Sequence, residues 1–274
     1  MTINCNGKLL SLVQPKVMGI LNVTPDSFFD GGKYKDEKSI LNQVEKMLNE
    51  GATFIDVGAY SSRPSALEVD EATELKRIEP IVNLILKNFP NTILSIDTFR
   101  SNIAKACVEN GAAIINDISA GLQDNKMLPT IAKLYVPYIM MHMRGTPQTM
   151  QQQTDYKDIS KEVLSFFSER LVAAKALGIK DIIIDPGFGF AKNLEQNYEL
   201  LSQMEVMNII EHPILSGISR KSMIYKTLDI TAEQALNGTT ALHMVCLQKG
   251  AKILRVHDVK EAMECVKLYE QLNA

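Results

Sequence analysis

The sequence lacks the features that mark secreted, membrane-spanning or nucleic-acid-binding proteins. Its four cysteines are far apart, with no Cys-x-x-Cys pair and no histidine at the spacing of a zinc ligand, so free thiols in a reducing compartment are predicted. No apolar run approaches the roughly 18 residues that cross a bilayer, and no basic segment precedes an apolar core near the start. The formal net charge of −3 excludes a general attraction for nucleic acid or anionic membranes. We therefore expect a cytoplasmic protein with neither a nucleic-acid nor a membrane partner.

Glycine-rich nucleotide-binding loops and low-complexity linkers are also missing. No predicted strand is followed by a dinucleotide fingerprint or a P-loop, and no linker separates two parts of the chain. The 274 residues are 46% hydrophobic, which is ordinary for a globular protein, and the length is common for a single α/β barrel. We expect one domain, residues 1–274.

The chain does contain a repeated alternation of apolar strands and amphipathic helices. Strands are predicted at 17–22, 52–57, 92–97, 112–116, 137–142, 179–185, 213–217 and 251–256, and helices at 39–50, 70–88, 101–110, 126–135, 159–177, 194–210, 231–249 and 258–271. Gly51, Gly111, Gly178 and Gly250 stand where helices need a left-handed cap. Asn6-Gly7 predicts a short N-terminal β-hairpin. The pattern favours a (β/α)8 TIM barrel over its alternative, a doubly wound open sheet, whose edge strands would show more alternation.

Polar residues stand at the carboxyl ends of the predicted strands: Asn22, Asp56, Asp97, Asn116, His142, Asp185, Ser216 with Gly217, and Arg255 with His257. In a barrel these ends open on one face, so the residues should converge. Asp97, Asn116 and Asp185 together suit a flat heterocycle with several N–H donors. Two other readings remain open: Asp97 and Asp185 as caps of the following helices, or a retaining glycosidase pair, which the glycines and aromatics after Asp185 disfavour.

Cations follow three of the strands. Arg63 lies after the second, Arg220 and Lys221 after the seventh, and Arg255 with His257 ends the eighth. Loops after strands seven and eight are the usual phosphate site of this fold, and arginine forks with nearby hydroxyls suit a diphosphate. Asn22 would face that diphosphate and share a Mg²⁺ ion with it. For Arg220 a surface cation is the favoured interpretation, and for His142 a buried structural role.

Eight segments together resemble the dihydropteroate synthase family of pterin-binding enzymes. They are Met-Gly-Ile-Leu-Asn-Val-Thr-Pro-Asp-Ser-Phe at 18–28, Ser-Ser-Arg-Pro at 61–64, Ser-Ile-Asp-Thr at 95–98, Ile-Asn-Asp at 115–117, Met-His-Met-Arg-Gly-Thr-Pro at 141–147, Asp-Pro-Gly-Phe-Gly at 185–189, Ser-Arg-Lys at 219–221 and Arg-Val-His at 255–257. They occur in the family's order and span nearly the whole chain.

The resemblance implies a barrel, usually dimeric, that condenses (7,8-dihydropterin-6-yl)methyl diphosphate with 4-aminobenzoate in folate biosynthesis. It assigns pterin binding to Asp97, Asn116, Asp185, Lys221 and Arg255. It assigns Mg²⁺ to Asn22, and diphosphate to Asn22, Ser61, Ser62, Arg63, Arg255 and His257. Aminobenzoate, and the sulfonamides that mimic it, would meet Phe28, Ser62, Arg63, Pro64, Phe190, Ser219 and Lys221. Arg63, Lys221, Arg255 and His257 would be catalytic. Independently of the resemblance, the glycine and hydroxyl content of loops 24–33 and 61–67 predicts that these loops close over the site.

One loop departs from the family pattern. The chain has Ala-Tyr-Ser-Ser-Arg-Pro-Ser at 59–65 where the family commonly has Gly-Glu-Ser-Thr-Arg-Pro-Gly, so the conformation of that loop and its affinity for aminobenzoate are open. Two rival functions are a pterin-binding methyltransferase barrel and a catalytically silent paralogue that acts through partners. The first binds no diphosphate, so Arg63, Arg255 and His257 disfavour it. The second is disfavoured by the intact set of Asn22, Arg63, Lys221 and His257.

Overall fold

A two-stranded hairpin begins the chain. The computed structural model of the protein describes residues 1–23, 33–60 and 69–273. Strands β1 (Thr2–Cys5) and β2 (Lys8–Ser11) pair antiparallel through a turn at Asn6 and Gly7, whose φ angles of 50° and 81° are those of a type I′ turn. Its inner face, with Ile3 and Cys5, packs into an apolar cluster that includes Met18 and Phe54 from the barrel strands. The hairpin therefore closes the amino end of the barrel.

Eight parallel strands form a closed barrel. In chain order they are β3 (Lys16–Asn22), β4 (Phe54–Gly58), β5 (Ile93–Asp97), β6 (Ile114–Asp117), β7 (Tyr138–Met141), β8 (Ile182–Asp185), β9 (Ile214–Ser216) and β10 (Ala251–Val256). Each strand pairs with its neighbour in the chain, and β10 closes the ring by pairing with β3. The predicted TIM barrel is confirmed, and the open doubly wound sheet is wrong.

Helices alternate with the strands around the outside. They are α1 (Lys33–Asn49), α2 (Glu71–Asn88), α3 (Ser101–Glu109), α4 (Met127–Leu134), α5 (Ile159–Ala176), α6 (Leu194–Ser202), α7 (Ser222–Leu228), α8 (Leu236–Gln248) and α9 (Val259–Leu272). The large apolar core lies between this layer and the strands. The predicted cap glycines at 51, 111, 178 and 250 all have positive φ. Within the described ranges, no helix is long and apolar enough to cross a membrane.

Two helix predictions near the carboxyl end are wrong. The segment 194–210 is not one helix, because α6 ends at Ser202 and a 3₁₀ helix, Met204–Ile210, follows. The segment 231–249 becomes helical only at Leu236, since the Arg220 guanidinium binds the backbone oxygens of Ala232 and Glu233. Helix α7 was missed; it is only seven residues long and no side chain caps its start.

Candidate active site

The Arg255 guanidinium joins two acids at the carboxyl end of the barrel. Its Nε donates to Oδ2 of Asp56 at 2.6 Å, and its Nη2 donates to Oδ2 of Asp97 at 2.8 Å. Asp97 ends β5, Asp56 lies in β4, and Arg255 reaches them across β3 from β10. The prediction that distant strand ends converge is confirmed for these residues.

Asp56 also holds the pterin-site candidate Asn116. The Asn116 Nδ2 donates to the same Asp56 Oδ2 at 3.1 Å, while Oδ1 of Asp56 is buried and has no hydrogen-bond partner among the described atoms. The sequence placed Asp56 at a strand end but assigned it no role. Asp56 could have been predicted as a site residue, because like Asp97 it is an acid near the end of an apolar strand.

Burial and neighbouring charges shift the pKa values of Asp97 and Arg255. Burial raises the pKa of Asp97 to about 7, although the Arg255 charge opposes this rise, and the negative charge of Asp56 adds to it. The pKa of Arg255 is raised despite its burial, because Asp56 and Asp97 both stabilise its charge. Asp97 is therefore a carboxyl group that changes charge near neutral pH.

Asp185 and Lys221 flank Gly217 on the other side of the mouth. A methyl group added at Gly217 would lie 3.8 Å from Oδ2 of Asp185 and 3.9 Å from Nζ of Lys221. Lys221 also donates to the backbone oxygen of Phe188, and its Nζ lies 4.8 Å from the centre of the Phe190 ring. Burial lowers the pKa of Lys221 to about 8, opposed by the charge of Asp185.

Neither acid caps the helix that follows it. Oδ1 of Asp185 accepts a hydrogen bond from the Gly187 N–H at 2.8 Å, and the cap of α6 is Asn193. Helix α3 begins after Arg100, which supplies no side-chain cap, so Asp97 is not a cap either. The alternative that made these acids structural helix caps is wrong, and both carboxylates lie at the barrel mouth.

A buried lysine beneath the mouth was missed. The Lys192 Nζ lies 2.9 Å from Nδ1 of His142 and donates to the backbone oxygens of Gly187 and Phe190, both at 3.0 Å. His142 is only 2% exposed, so its predicted burial is confirmed, and its structural role stays a prediction. Burial is the main cause that lowers the pKa of both side chains. Together they fix the turn that supports Asp185. The only sequence signal was a lysine among Gly, Phe and Ala.

Ser219 and His257 meet where the last two strands end. The Ser219 Oγ accepts from the His257 backbone N–H at 3.2 Å and lies 3.2 Å from Nδ1 of the same ring. Crowding by protein, followed by repulsion from Arg255, lowers the pKa of the His257 imidazole, although the residue keeps substantial solvent exposure. Arg220 is not the predicted surface cation, because its guanidinium is held by Asp258.

Several predicted site residues fall in segments outside the described residues: Phe28, Ser61, Ser62, Arg63 and Pro64, together with the loops 24–33 and 61–67 except for Lys33. Beside the second segment, the Arg100 guanidinium pairs with the fully buried Glu74 at 2.5 Å and donates to the Val69 oxygen at 2.6 Å. Tyr60, which stands where the family has an acid, packs edge-on against Phe99 with ring centres 5.3 Å apart.

Asn22 is the metal-ligand candidate. It ends β3, is exposed, and pairs through its backbone with Gly58. Within the described residues, no group of three or more His, Cys, Asp or Glu side chains could hold a metal ion. An amide oxygen nevertheless fits Mg²⁺, which keeps most of its waters and takes the remaining oxygens from a phosphorylated substrate.

The sequence and the fold were compared with known protein families, curated proteins and solved structures, and all three comparisons identify pterin-binding enzymes. A family model described as "Pterin binding enzyme" matches residues 18–257. The dihydropteroate synthase of Haemophilus influenzae is 42% identical over 272 residues, covering 98% of both chains, and that of Escherichia coli K12 is 40% identical, covering 98% of this chain and 96% of the other. The structure of the Yersinia pestis dihydropteroate synthase with a sulfonamide drug has a TM-score of 0.93 at 40% identity, with 100% of this chain and 99% of that chain covered. The Xanthomonas albilineans enzyme in complex with 7,8-dihydropteroate has a TM-score of 0.90 at 34% identity, with the same coverage.

Proposed function

This chain belongs to the pterin-binding enzyme family and catalyses the dihydropteroate synthase reaction, and we propose that the residues at its barrel mouth divide between holding the pterin and removing the diphosphate. The reaction condenses (7,8-dihydropterin-6-yl)methyl diphosphate with 4-aminobenzoate and yields 7,8-dihydropteroate and diphosphate in folate biosynthesis. The observation that supports this division best is the Arg255 guanidinium, which joins Asp56 and Asp97 and lies two residues from His257.

The pterin ring is assigned to Asp97, Asn116, Asp185 and Lys221, with Arg255 stacked on its face. The carboxylates accept hydrogen bonds from the ring's N–H groups, while Lys221 and the Asn116 amide donate to its acceptors. All five side chains lie at one mouth, and the carboxyl group of Asp97 accepts well only when it is ionised. Arg255 is already held in place by Asp56 and Asp97, so binding need not order its long side chain.

The diphosphate is assigned to Asn22, Ser61, Ser62, Arg63, Arg255 and His257. Arginine forks bind phosphate oxygens in pairs, and the imidazole of His257 adds an N–H donor at the rim. Asn22 would hold Mg²⁺ through its amide oxygen, and the ion would neutralise part of the diphosphate charge. The 4-aminobenzoate is assigned to Phe28, Ser62, Arg63, Pro64, Phe190, Ser219 and Lys221, of which Phe190 and Lys221 are in contact.

The chemistry needs no protein nucleophile. The bond between the pterin methylene carbon and the diphosphate oxygen breaks, and its electron pair leaves on that oxygen. The amine lone pair of aminobenzoate then forms the new C–N bond, and the amine loses a proton to the departing diphosphate or to water. The proposed catalytic residues are Arg63, Lys221, Arg255 and His257. Arg63, Arg255 and His257 stabilise the leaving group, Lys221 holds the two substrates, and Asp97 and Asp185 stabilise positive charge on the ring. Closure of loops 24–33 and 61–67 would exclude water from the cation.

A two-part assay tests the division. Wild-type protein should release diphosphate only when both substrates are present, whereas a methyltransferase or a silent paralogue should release none. Arg63→Ala should then lower turnover much more than it weakens binding of the pterin diphosphate, because its charge is needed most as the leaving group departs. Equal losses in turnover and in binding would contradict the role given to Arg63.

We further propose that the chain acts as one domain over residues 1–274, as a homodimer, in the cytoplasm. Four buried free thiols suit a reducing compartment. Exposed Leu228 on α7 and exposed Leu268 and Leu272 on α9 flank α8 and would suit a subunit contact. Light scattering at micromolar concentration distinguishes a dimer of about twice 30.5 kDa from a monomer.

A further inference from the structure

Arg220 adopts a backbone conformation that its residue type disfavours. It follows β9 with φ of 52°, in the left-handed region, which is unfavourable for a residue with a Cβ. Its N–H donates to Oγ1 of Thr239, a fully buried side chain on α8, at 3.0 Å. Such strain persists only where the surroundings impose it, and in many proteins it marks a functional position.

The Arg220 side chain makes an extended set of contacts. Nε and Nη2 donate to the two oxygens of Asp258 at 2.7 and 2.8 Å, and Nη1 donates to the backbone oxygens of Ala232 at 2.9 Å and Glu233 at 2.5 Å. Four of the five guanidinium N–H groups therefore have partners. The side chains of Arg220 and Asp258 are 22% and 19% exposed, so the pair is partly shielded from water.

Asp258 gives up a local interaction to form this pair. It is the N-cap residue of α9, a position where an aspartate normally accepts a hydrogen bond from the first turn of the helix, yet its side chain makes no such bond. The carboxylate instead faces Arg220. Arg220 thus adopts an unfavourable backbone conformation, and Asp258 makes no helix-capping bond, while together they form one contact between the loop after β9 and the loop after β10.

That contact joins the loop that carries proposed pterin and aminobenzoate residues to the loop that carries a proposed diphosphate residue. Ser219 and Lys221, assigned to aminobenzoate and pterin, are the chain neighbours of Arg220, and His257 immediately precedes Asp258. Because the Ser219 Oγ accepts the His257 backbone N–H, its own hydroxyl proton is free to donate to Nδ1 of that ring. A neutral His257 then carries its proton on Nε2, which is left as the ring's N–H donor for a phosphate oxygen.

We propose that Arg220 is a positioning residue for the diphosphate site: by pairing with Asp258 it holds Ser219 against His257 and fixes that imidazole as an Nε2–H donor. This rests on the role proposed above for His257. Arg220 itself touches no substrate, and its effect reaches the reaction through the tautomer and orientation of the ring.

Three variants and a matched control test this. Arg220→Met removes the fork but keeps an apolar stem, Asp258→Asn removes the partner's charge without changing its shape, and the third variant combines both. Lys249→Met is the control: the Lys249 side chain is 23% exposed, close to the 22% of Arg220, and the variant breaks an ion pair to the more exposed Glu205 next to the amino end of β10. Urea unfolding of each protein establishes that it is folded.

The expected result is a selective loss. Arg220→Met should lower kcat/KM for the pterin diphosphate at least tenfold and weaken inorganic diphosphate binding to a similar extent, while binding of a pterin without diphosphate changes less than threefold. Arg220→Met and Asp258→Asn remove the same contact, so kcat/KM of the double variant should be no lower than that of the more impaired single variant. Lys249→Met should change none of these quantities.

Nitrogen-15 NMR of the imidazoles gives a readout independent of activity. In the wild type His257 should show an unprotonated Nδ1 and a protonated Nε2, and in Arg220→Met the two nitrogens should shift toward a tautomer mixture. An unchanged His257 spectrum, or equal weakening of both pterin ligands, would overturn the proposal. If the wild type releases no diphosphate while the His257 spectrum responds to Arg220→Met, the proposed function fails and the positioning role stands.

Discussion

Replacing Asp56 with asparagine should shift the charge of Asp97 without changing the shape of the site. Both carboxylates bind the Arg255 guanidinium, and the negative charge of Asp56 is one of the causes that raise the pKa of Asp97 from 3.8 to about 7. Two unit charges about 4 Å apart repel by about 4 kcal/mol at an effective dielectric constant of 20. Since one pKa unit corresponds to about 1.4 kcal/mol, a repulsion of this size would let the pKa of Asp97 fall by at most about 3 units in Asp56→Asn.

This fall has two measurable consequences. If Asp97 binds the pterin as proposed, binding needs its ionised form, so the affinity for the pterin should rise with pH through about 7 in the wild type and through a lower pH in Asp56→Asn. Stability should also respond: between pH 3.8 and about 7 the folded wild type keeps a proton on Asp97 that the unfolded chain has released, so its stability falls as pH rises across that window. The window should narrow in the variant.

Asp56→Asn should also cost some stability at pH 8. The hydrogen bond that Asn116 donates to this carboxylate, worth about 1.5–3 kcal/mol, becomes a neutral one of about 0.5–1.5 kcal/mol, so the expected loss is about 1–1.5 kcal/mol. Calorimetric titration with a pterin from pH 5 to 9 and urea unfolding measure the two effects. Glu109→Gln, which removes an equally negative but exposed charge on α3, is the control. A binding inflection that stays near pH 7 in Asp56→Asn would refute the electrostatic coupling of the two acids.

Three further substitutions test how the mouth is supported. Gly187→Ala should destabilise the fold by about 3 kcal/mol, because φ is +70° and the new methyl group would lie 2.1 Å from the backbone oxygen of His142. Gly178→Ala is the control: φ is +81° but the space around it is open, so it should cost only about 1 kcal/mol. Equal losses of stability in thermal unfolding would contradict this. Tyr138→Phe should cost about 1–3 kcal/mol in urea, because the hydroxyl bonds the buried Asp117 at 2.5 Å, while the same change at exposed Tyr135 should cost less than about 0.5 kcal/mol. Glu74→Ala should cost about 3–5 kcal/mol because Arg100 loses its buried ion-pair partner, whereas Glu50→Ala, in a more exposed pair, should cost little. A Glu74→Ala protein as stable as the wild type would show that Arg100 finds another carboxylate.

The barrel was predictable because its signals are local. Each strand is a short apolar run, and the cap glycines at 51, 111, 178 and 250 divide the chain into repeats whose geometry follows from residue type. The convergence of Asp97, Asn116 and Asp185 then followed from the topology alone, since all strands of a parallel barrel end on one face. The assignment of those residues to particular substrates came from family resemblance and remains a proposal.

The errors arise where tertiary contacts override local preference. Arg220 was expected at the surface because nothing in its neighbourhood shows that Asp258, 38 residues away, would pair with it. The same guanidinium takes the carbonyl groups of Ala232 and Glu233, so the helix predicted from 231 starts late. Lys192 was missed for a similar reason, because its three partners come from two loops brought together only by the fold.

The amino-terminal hairpin has a consequence for the order of events. Ile3, Cys5 and Leu12 pack beneath the strands, so among the described residues the amino end of the barrel is closed and the polar residues lie at the opposite, carboxyl end. If the pterin binds among Asp97, Asn116 and Asp185 as proposed, both substrates share that one face. We then expect aminobenzoate to bind after the pterin, and the joined product to leave through the same mouth.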